Sequence, residues 1–173
     1  MSKTFSTRVL SEIVVVIALS TVLSFIKIYH LPQGGSITAG SMVPLLWLAL
    51  RRGAKIGLFA GIIYGLVQLL LEPYVYHPIQ VLLDYPLAFG SLGLAGFFMN
   101  YALIGVIVGV FGRFVAHLLS GVIFFAEYAP EGMSPLLYSA IYNGSYLLGE
   151  LIVSALLTYI IIKRGLLKIY LES

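Results

Sequence analysis

The chain alternates between long apolar runs and short polar punctuation. The runs cover about residues 9–28, 37–50, 56–71, 78–98, 103–125 and 136–162. Crossing the hydrocarbon core of a bilayer as a helix takes about 20 mostly apolar residues. Six such helices use roughly 120 residues, and the chain has 173, so the connections between them must be short. The second run is short for a full crossing, which predicts a tilted or partly irregular segment there. The first is long for the apolar part of a cleaved signal, and no small-x-small cleavage site follows it, so a retained helix is expected. The predicted fold is an all-α integral membrane protein: a single bundle of six transmembrane helices, one domain over residues 1–173.

Composition narrows this further. Charged residues make up 10% of the chain, hydrophobic residues 60%, and the mean hydropathy is +1.03. A soluble domain carries about 25% charged residues, so a water-facing surface is ruled out. With no cysteine there is no disulfide framework and no thiolate metal site. The net charge of +3 does not point to nucleic acid, because the basic residues sit at the ends of apolar runs. Lys3 and Arg8 precede the first run, Arg51, Arg52 and Lys55 join the second to the third, and Lys163, Arg164 and Lys168 follow the sixth. The excess of Lys and Arg on one face predicts that this face, with both termini, is cytoplasmic. Lys27 lies near the opposite end of a span and Arg113 inside the fifth. The far-side loops hold Pro, Gly, Tyr and acids instead.

Glycines recur every four residues at Gly53, Gly57, Gly61 and Gly65, and again at Gly105 and Gly109. Such spacing lets helix backbones approach closely in lipid, so packing within the bundle is expected there. Ala18, Ser20, Thr21 and Ser24 offer similar small residues in the first span.

Ionisable residues inside spans are costly, which makes them candidates for function. Asp84, Arg113, His117 and Glu150 stand out. Asp84 precedes Pro86, which leaves a backbone carbonyl free. Arg113, His117 and Gly121 share one face at four-residue spacing, with Phe125 continuing the stripe. Asn143, Tyr146 and Glu150 share a face of the sixth span, and Tyr138 lies about one turn above Asn143. Two readings stay open for the pair Asp84 and Arg113: mutual neutralisation that fixes helix register, or contact with a ligand. Glu12 and Glu150 are expected to be structural. An acid, an imidazole, an amide and several aromatics in the outer half of three spans suit a small, flat, cationic heteroaromatic solute.

The chain carries no G-x-x-x-x-G-K-[ST], no H-E-x-x-H, no G-x-S-x-G and no cluster of His and acids at metal-ligand spacing. Neither an enzyme nor an ATP-binding site of the P-loop kind is expected, and no catalytic or metal site.

Four stretches resemble the thiamine-specific substrate-binding subunits (S components) of bacterial energy-coupling factor transporters. They are Leu50-Arg51-Arg52-Gly53, Leu83-Asp84-Tyr85-Pro86-Leu87-Ala88, His117-Leu118-Leu119-Ser120-Gly121 running into Phe124-Phe125-Ala126-Glu127-Tyr128-Ala129, and Tyr138-Ser139-Ala140-Ile141-Tyr142-Asn143-Gly144. The resemblance implies six helices in a bacterial plasma membrane, with thiamine captured near the extracellular side and no cofactor. It places Asp84 against the thiazolium and makes His117, Tyr138 and Asn143 further contacts. Tyr85, Tyr74 and Gly121 become lining residues. Phe125 stands where some members carry a stacking Trp, whereas their loop Trp after the first span has no aromatic counterpart near Gly34-Gly35-Ser36. A membrane scaffold subunit and two ATPase subunits are implied as partners, docking on the first span, where Val14 and Ala18 replace an Ala-x-x-x-Ala pair. Two other readings fit the residues alone: an autonomous proton-coupled carrier using Asp84 and His117, and a purely structural membrane subunit.

Overall fold

The computed structural model describes residues 6–165. Six principal helices run through them: α1 (Thr7–Ser24), α2 (Val43–Arg52), α3 (Ala54–Leu71), α4 (Pro78–Phe98), α5 (Ala102–Phe124) and α6 (Pro135–Lys163). All except α2 are long and apolar enough to cross a bilayer. Helix α2 has only ten residues, about 15 Å at 1.5 Å per residue. It lies at the centre of the bundle, with Leu45, Leu46, Leu48 and Ala49 fully buried. The irregularity expected of this run is therefore real, and it takes the form of a short helix wrapped by longer ones.

The segment between α1 and α2 corrects the sequence reading. Helix α1 stops at Ser24, and an antiparallel hairpin follows: β1 (Lys27–His30) pairs with β2 (Ser36–Thr38) across Leu31-Pro32-Gln33-Gly34-Gly35. Gly34 closes the turn at φ 90°, where an L side chain is strained.

Glycine spacing does what was expected of it. Along α3, Gly57, Gly61 and Gly65 face Gly93, Phe89 and Tyr85 of α4, so close that a Cβ on Gly65 would lie 2.5 Å from the Tyr85 carbonyl oxygen. A Cβ on Gly93 would collide with the backbone of Gly57 and Leu58. Gly105 and Gly109 sit in the same way against Ala95 and Leu92. Gly53 serves the chain differently, since at φ 87° it forms the single-residue corner between α2 and α3.

Helix α4 is not uniform. His77 caps it, its ring Nδ1 accepting the Ile79 N–H at 3.1 Å. Residues Leu83–Leu87 widen into a π turn around Pro86, and Ser91–Phe98 tightens into a 3-10 helix. Proline has no N–H to donate to the preceding turn, so a wider turn is the local solution. Asp84 and Tyr85 sit in that turn.

At one end of the bundle, Glu12 of α1 accepts from Arg52 Nε at 2.7 Å and Nη2 at 2.6 Å, with Arg51 3.5 Å and Arg8 3.9 Å away. The structural role expected for Glu12 holds. Lys3 and Lys168 lie outside the described residues. At the other end Lys27 pairs with Glu72 at 2.6 Å.

Candidate functional site

Residues of α1, α3, α4, α5 and α6, the hairpin and the loops between helices line a cavity of about 470 Å³. Every one of the eight residues singled out from the sequence lines it: Tyr74, Asp84, Tyr85, His117, Gly121, Phe125, Tyr138 and Asn143.

Asp84 is the polar centre. Its Oδ1 lies 2.9 Å from His117 Nδ1, and its Oδ2 accepts from Gln80 Nε2 at 2.7 Å and Ser120 Oγ at 2.8 Å. Arg113 Nε donates to His117 Nε2 at 3.2 Å. A nitrogen accepting from Arg113 leaves Nδ1 as the protonated one, so the imidazole donates to Asp84 and is neutral. The direct Asp84–Arg113 pair considered from sequence is thus replaced by a chain in which His117 stands between the two. The Arg113 guanidinium lies 4.2 Å above the Phe89 ring and donates to Met42 Sδ at 3.0 Å.

Gln80 is fully buried and ties this centre to the loop before α4. Besides Asp84, its Nε2 donates to the Tyr74 carbonyl at 3.1 Å, and its Oε1 accepts the Tyr76 N–H at 3.0 Å. The Tyr85 hydroxyl completes the loop, accepting the Tyr74 N–H at 2.7 Å and donating to the Glu72 carbonyl at 2.8 Å. Tyr85 therefore shapes the wall more than it offers a free polar group.

Aromatic rings form a collar around Phe125. Phe125 is surrounded by Tyr74 and Tyr76, each with centroids 5.7 Å away, and by Tyr128 at 6.1 Å. Hydrogen bonding to Tyr128, then burial, pushes the Tyr74 hydroxyl above its ordinary value, so it stays neutral at physiological pH. On α6, Tyr138 stacks on Tyr142 at 6.2 Å, and Tyr142 meets Tyr146 edge-on at 6.0 Å. The α6 rings also hold the hairpin: Gly35 donates its N–H to the Tyr142 hydroxyl at 3.1 Å, and a Cβ there would lie 2.7 Å from the Tyr146 ring.

Asn143 and Gly121 are chiefly architectural in this arrangement. Asn143 Nδ2 donates to the Ser139 carbonyl at 3.0 Å, its Oδ1 accepts from the Tyr146 hydroxyl at 3.1 Å, and Gly121 lies where a Cβ would collide with Ser139. Sequence reasoning misses Gln80 and Ser120, which stand four residues before Asp84 and three after His117 on the same helix faces. It also assigns Glu150 a structural role alone, yet this residue lines the cavity. The lining holds three acids (Glu72, Asp84, Glu150) and two bases (Lys27, Arg113) besides the histidines His30 and His117, a balance that favours a cationic guest.

Residues 10–169 match the family described as thiamine transporter protein (Thia_YuaJ). The chain belongs to this family. The thiamine transporter ThiT of Bacillus subtilis (strain 168) is 32% identical over 166 residues, covering 85% of this chain and 86% of that protein. ThiT of Lacticaseibacillus paracasei is 28% identical over 176 residues, covering 87% and 86%. The solved structure of ThiT from Listeria monocytogenes superposes with a TM-score of 0.82 at 30% identity, covering 90% of this chain and 93% of that one. This member of the thiamine transporter family is a multi-pass bacterial membrane protein.

Proposed function

We propose that this thiamine transporter family member is the thiamine-capturing S component of an energy-coupling factor transporter, with residues 1–173 as a single substrate-binding domain. The observation that carries the reading is the convergence of Asp84, His117, Phe125, Tyr138 and Tyr74 on one cavity. Thiamine is a cation of two flat rings joined by a methylene. A carboxylate held by three donors faces its charge, and the collar around Phe125 supplies π faces for the thiazolium. Tyr138 lines the α6 side, with Asn143, Tyr85 and Gly121 shaping the wall.

The cavity opens on the face that holds Lys27, Glu72 and the hairpin, away from the Arg51–Arg52–Glu12 cluster. With basic residues toward the cytoplasm, that opening is extracellular and both termini are cytoplasmic. The chain has no ATPase site of its own in this reading and needs no cofactor. Energy comes from two ATPase subunits through a membrane scaffold that docks on α1. That helix turns Val14, Val15, Leu19 and Val22 outward.

Calorimetric titration of thiamine into the purified, detergent-solubilised chain tests the capture role. One-to-one binding tighter than about 1 μM, near −8 kcal/mol, is expected without any partner; no heat at two temperatures would refute it. Thiamine uptake by cells that survives deletion of the ATPase subunits would instead establish an autonomous carrier.

A further inference from the structure

Gln80 is polar, fully buried, and stands one turn before Asp84 in α4. Residues four apart on a helix share a face, which is why its amide reaches the Asp84 carboxylate. All four bonding positions of that amide are taken. Oε1 accepts the Tyr76 N–H at 3.0 Å and the His77 N–H at 3.5 Å, while Nε2 donates to the Tyr74 carbonyl at 3.1 Å and to Asp84 Oδ2 at 2.7 Å. Turning the amide over would set its NH2 against two N–H donors and its oxygen against a carbonyl and a carboxylate. Its orientation is therefore fixed by main chain, and one N–H is left with a single direction, toward Asp84. The other donor to that oxygen, Ser120, has a hydroxyl that rotates. Asp84 itself lies in the π turn around Pro86, where regular α-helical bonding is interrupted.

We propose that Gln80 is a positioning residue for solute capture: its amide, anchored to the loop before α4, holds the Asp84 carboxylate in the orientation that meets the cation. The inference rests on the thiamine-capture reading and deepens it, because Gln80 is buried and acts through Asp84 rather than on the solute. A carboxylate held by a fixed donor keeps one aim, so little order has to be gained when the solute arrives. The same amide holds the main chain of Tyr74 and Tyr76, whose rings pack on Phe125. Charge and aromatic wall are thus set relative to one another by one side chain.

The test is a double-mutant cycle on thiamine affinity, read by calorimetry in the wild type, Gln80→Met, Asp84→Asn and the double variant. Met keeps the length and bulk of Gln without its hydrogen bonds. Gln80→Met should weaken binding by about tenfold, the loss of a hydrogen bond to a charged group. In the Asp84→Asn background the same change should cost about threefold or less, because the carboxylate it positions is gone. A purely structural Gln80 would lower affinity by the same factor in both backgrounds. That result, or wild-type affinity in Gln80→Met, overturns the positioning role alone. Should Gln80→Met fail to fold, Gln80→Asn, whose amide falls one methylene short of Asp84, carries the same expected non-additivity. Where Asp84→Asn binds too weakly to titrate, a crystal structure of the Gln80 variant with thiamine decides: a turned Asp84 carboxylate supports positioning, and an unmoved one overturns it. A wild-type chain that does not bind thiamine overturns the capture reading and this inference together.

Discussion

The two halves of the bundle solve the problem of burying groups in opposite ways. In the half near Glu12, backbones meet: Gly57 and Gly61 of α3 lie on Gly93 and Phe89 of α4, leaving no space for a methyl group. The acid there, Glu12, has both oxygens engaged by Arg52. Toward the hairpin, α4, α5 and α6 line a cavity of about 470 Å³, and the acids that line it are held differently. Asp84 accepts from three side chains, and Glu150 leaves one oxygen unpartnered. Tight backbone packing beside a fully paired acid holds shape, and a cavity lined by acids suits a cationic guest.

Substitutions in the two halves should separate stability from binding. The largest effect is expected from Gly93→Val, which drives a branched side chain into the backbone of Gly57 and Leu58. Overpacking of this kind costs about 1–3 kcal/mol or more, and here backbone has to move. Loss of folded, monodisperse protein on size-exclusion chromatography is the expected readout; a variant that elutes and melts like the wild type would remove the distinction between the halves.

Asp84→Asn should spare the fold and strike binding. The amide keeps the shape but loses the charge that faces the cation, and it brings an N–H toward the donors of Gln80, Ser120 and His117. A fall in thiamine affinity of about a hundredfold, near 2.7 kcal/mol, is expected by calorimetry. Phe125→Ala removes the ring at the centre of the collar, and stacking of this kind is worth about 0.5–2 kcal/mol, so a loss of about tenfold is expected. The smallest effect on binding belongs to Glu12→Gln. It should lower the melting temperature by unpinning Arg52 and leave thiamine affinity within about twofold, because Glu12 does not line the cavity.

Much of this architecture is legible in the order of residues, for identifiable reasons. Five apolar runs mark five spanning helices because lipid leaves no other way to satisfy the backbone. The fourth run coincides with the helix Pro78–Phe98, since prolines, glycines and polar residues bracket it. The hairpin is hidden because Phe25-Ile26-Lys27-Ile28 reads as more helix; its signal is Gly34-Gly35, flanked by Ile28, Tyr29, Ile37 and Thr38. The eight residues named from sequence do share one cavity. Their bonding pattern is not legible, because it depends on contacts between distant elements. No spacing rule shows that His117 stands between Asp84 and Arg113, or that Thr38 reaches Glu150 from 112 residues away.

The most direct measurement is a crystal structure of the chain with bound thiamine. The account predicts the solute in this cavity, with its thiazolium within about 4–6 Å of the Asp84 carboxylate and one face against Phe125. Thiamine bound elsewhere on the bundle, or lying in the cavity with its charge turned away from Asp84, would contradict it.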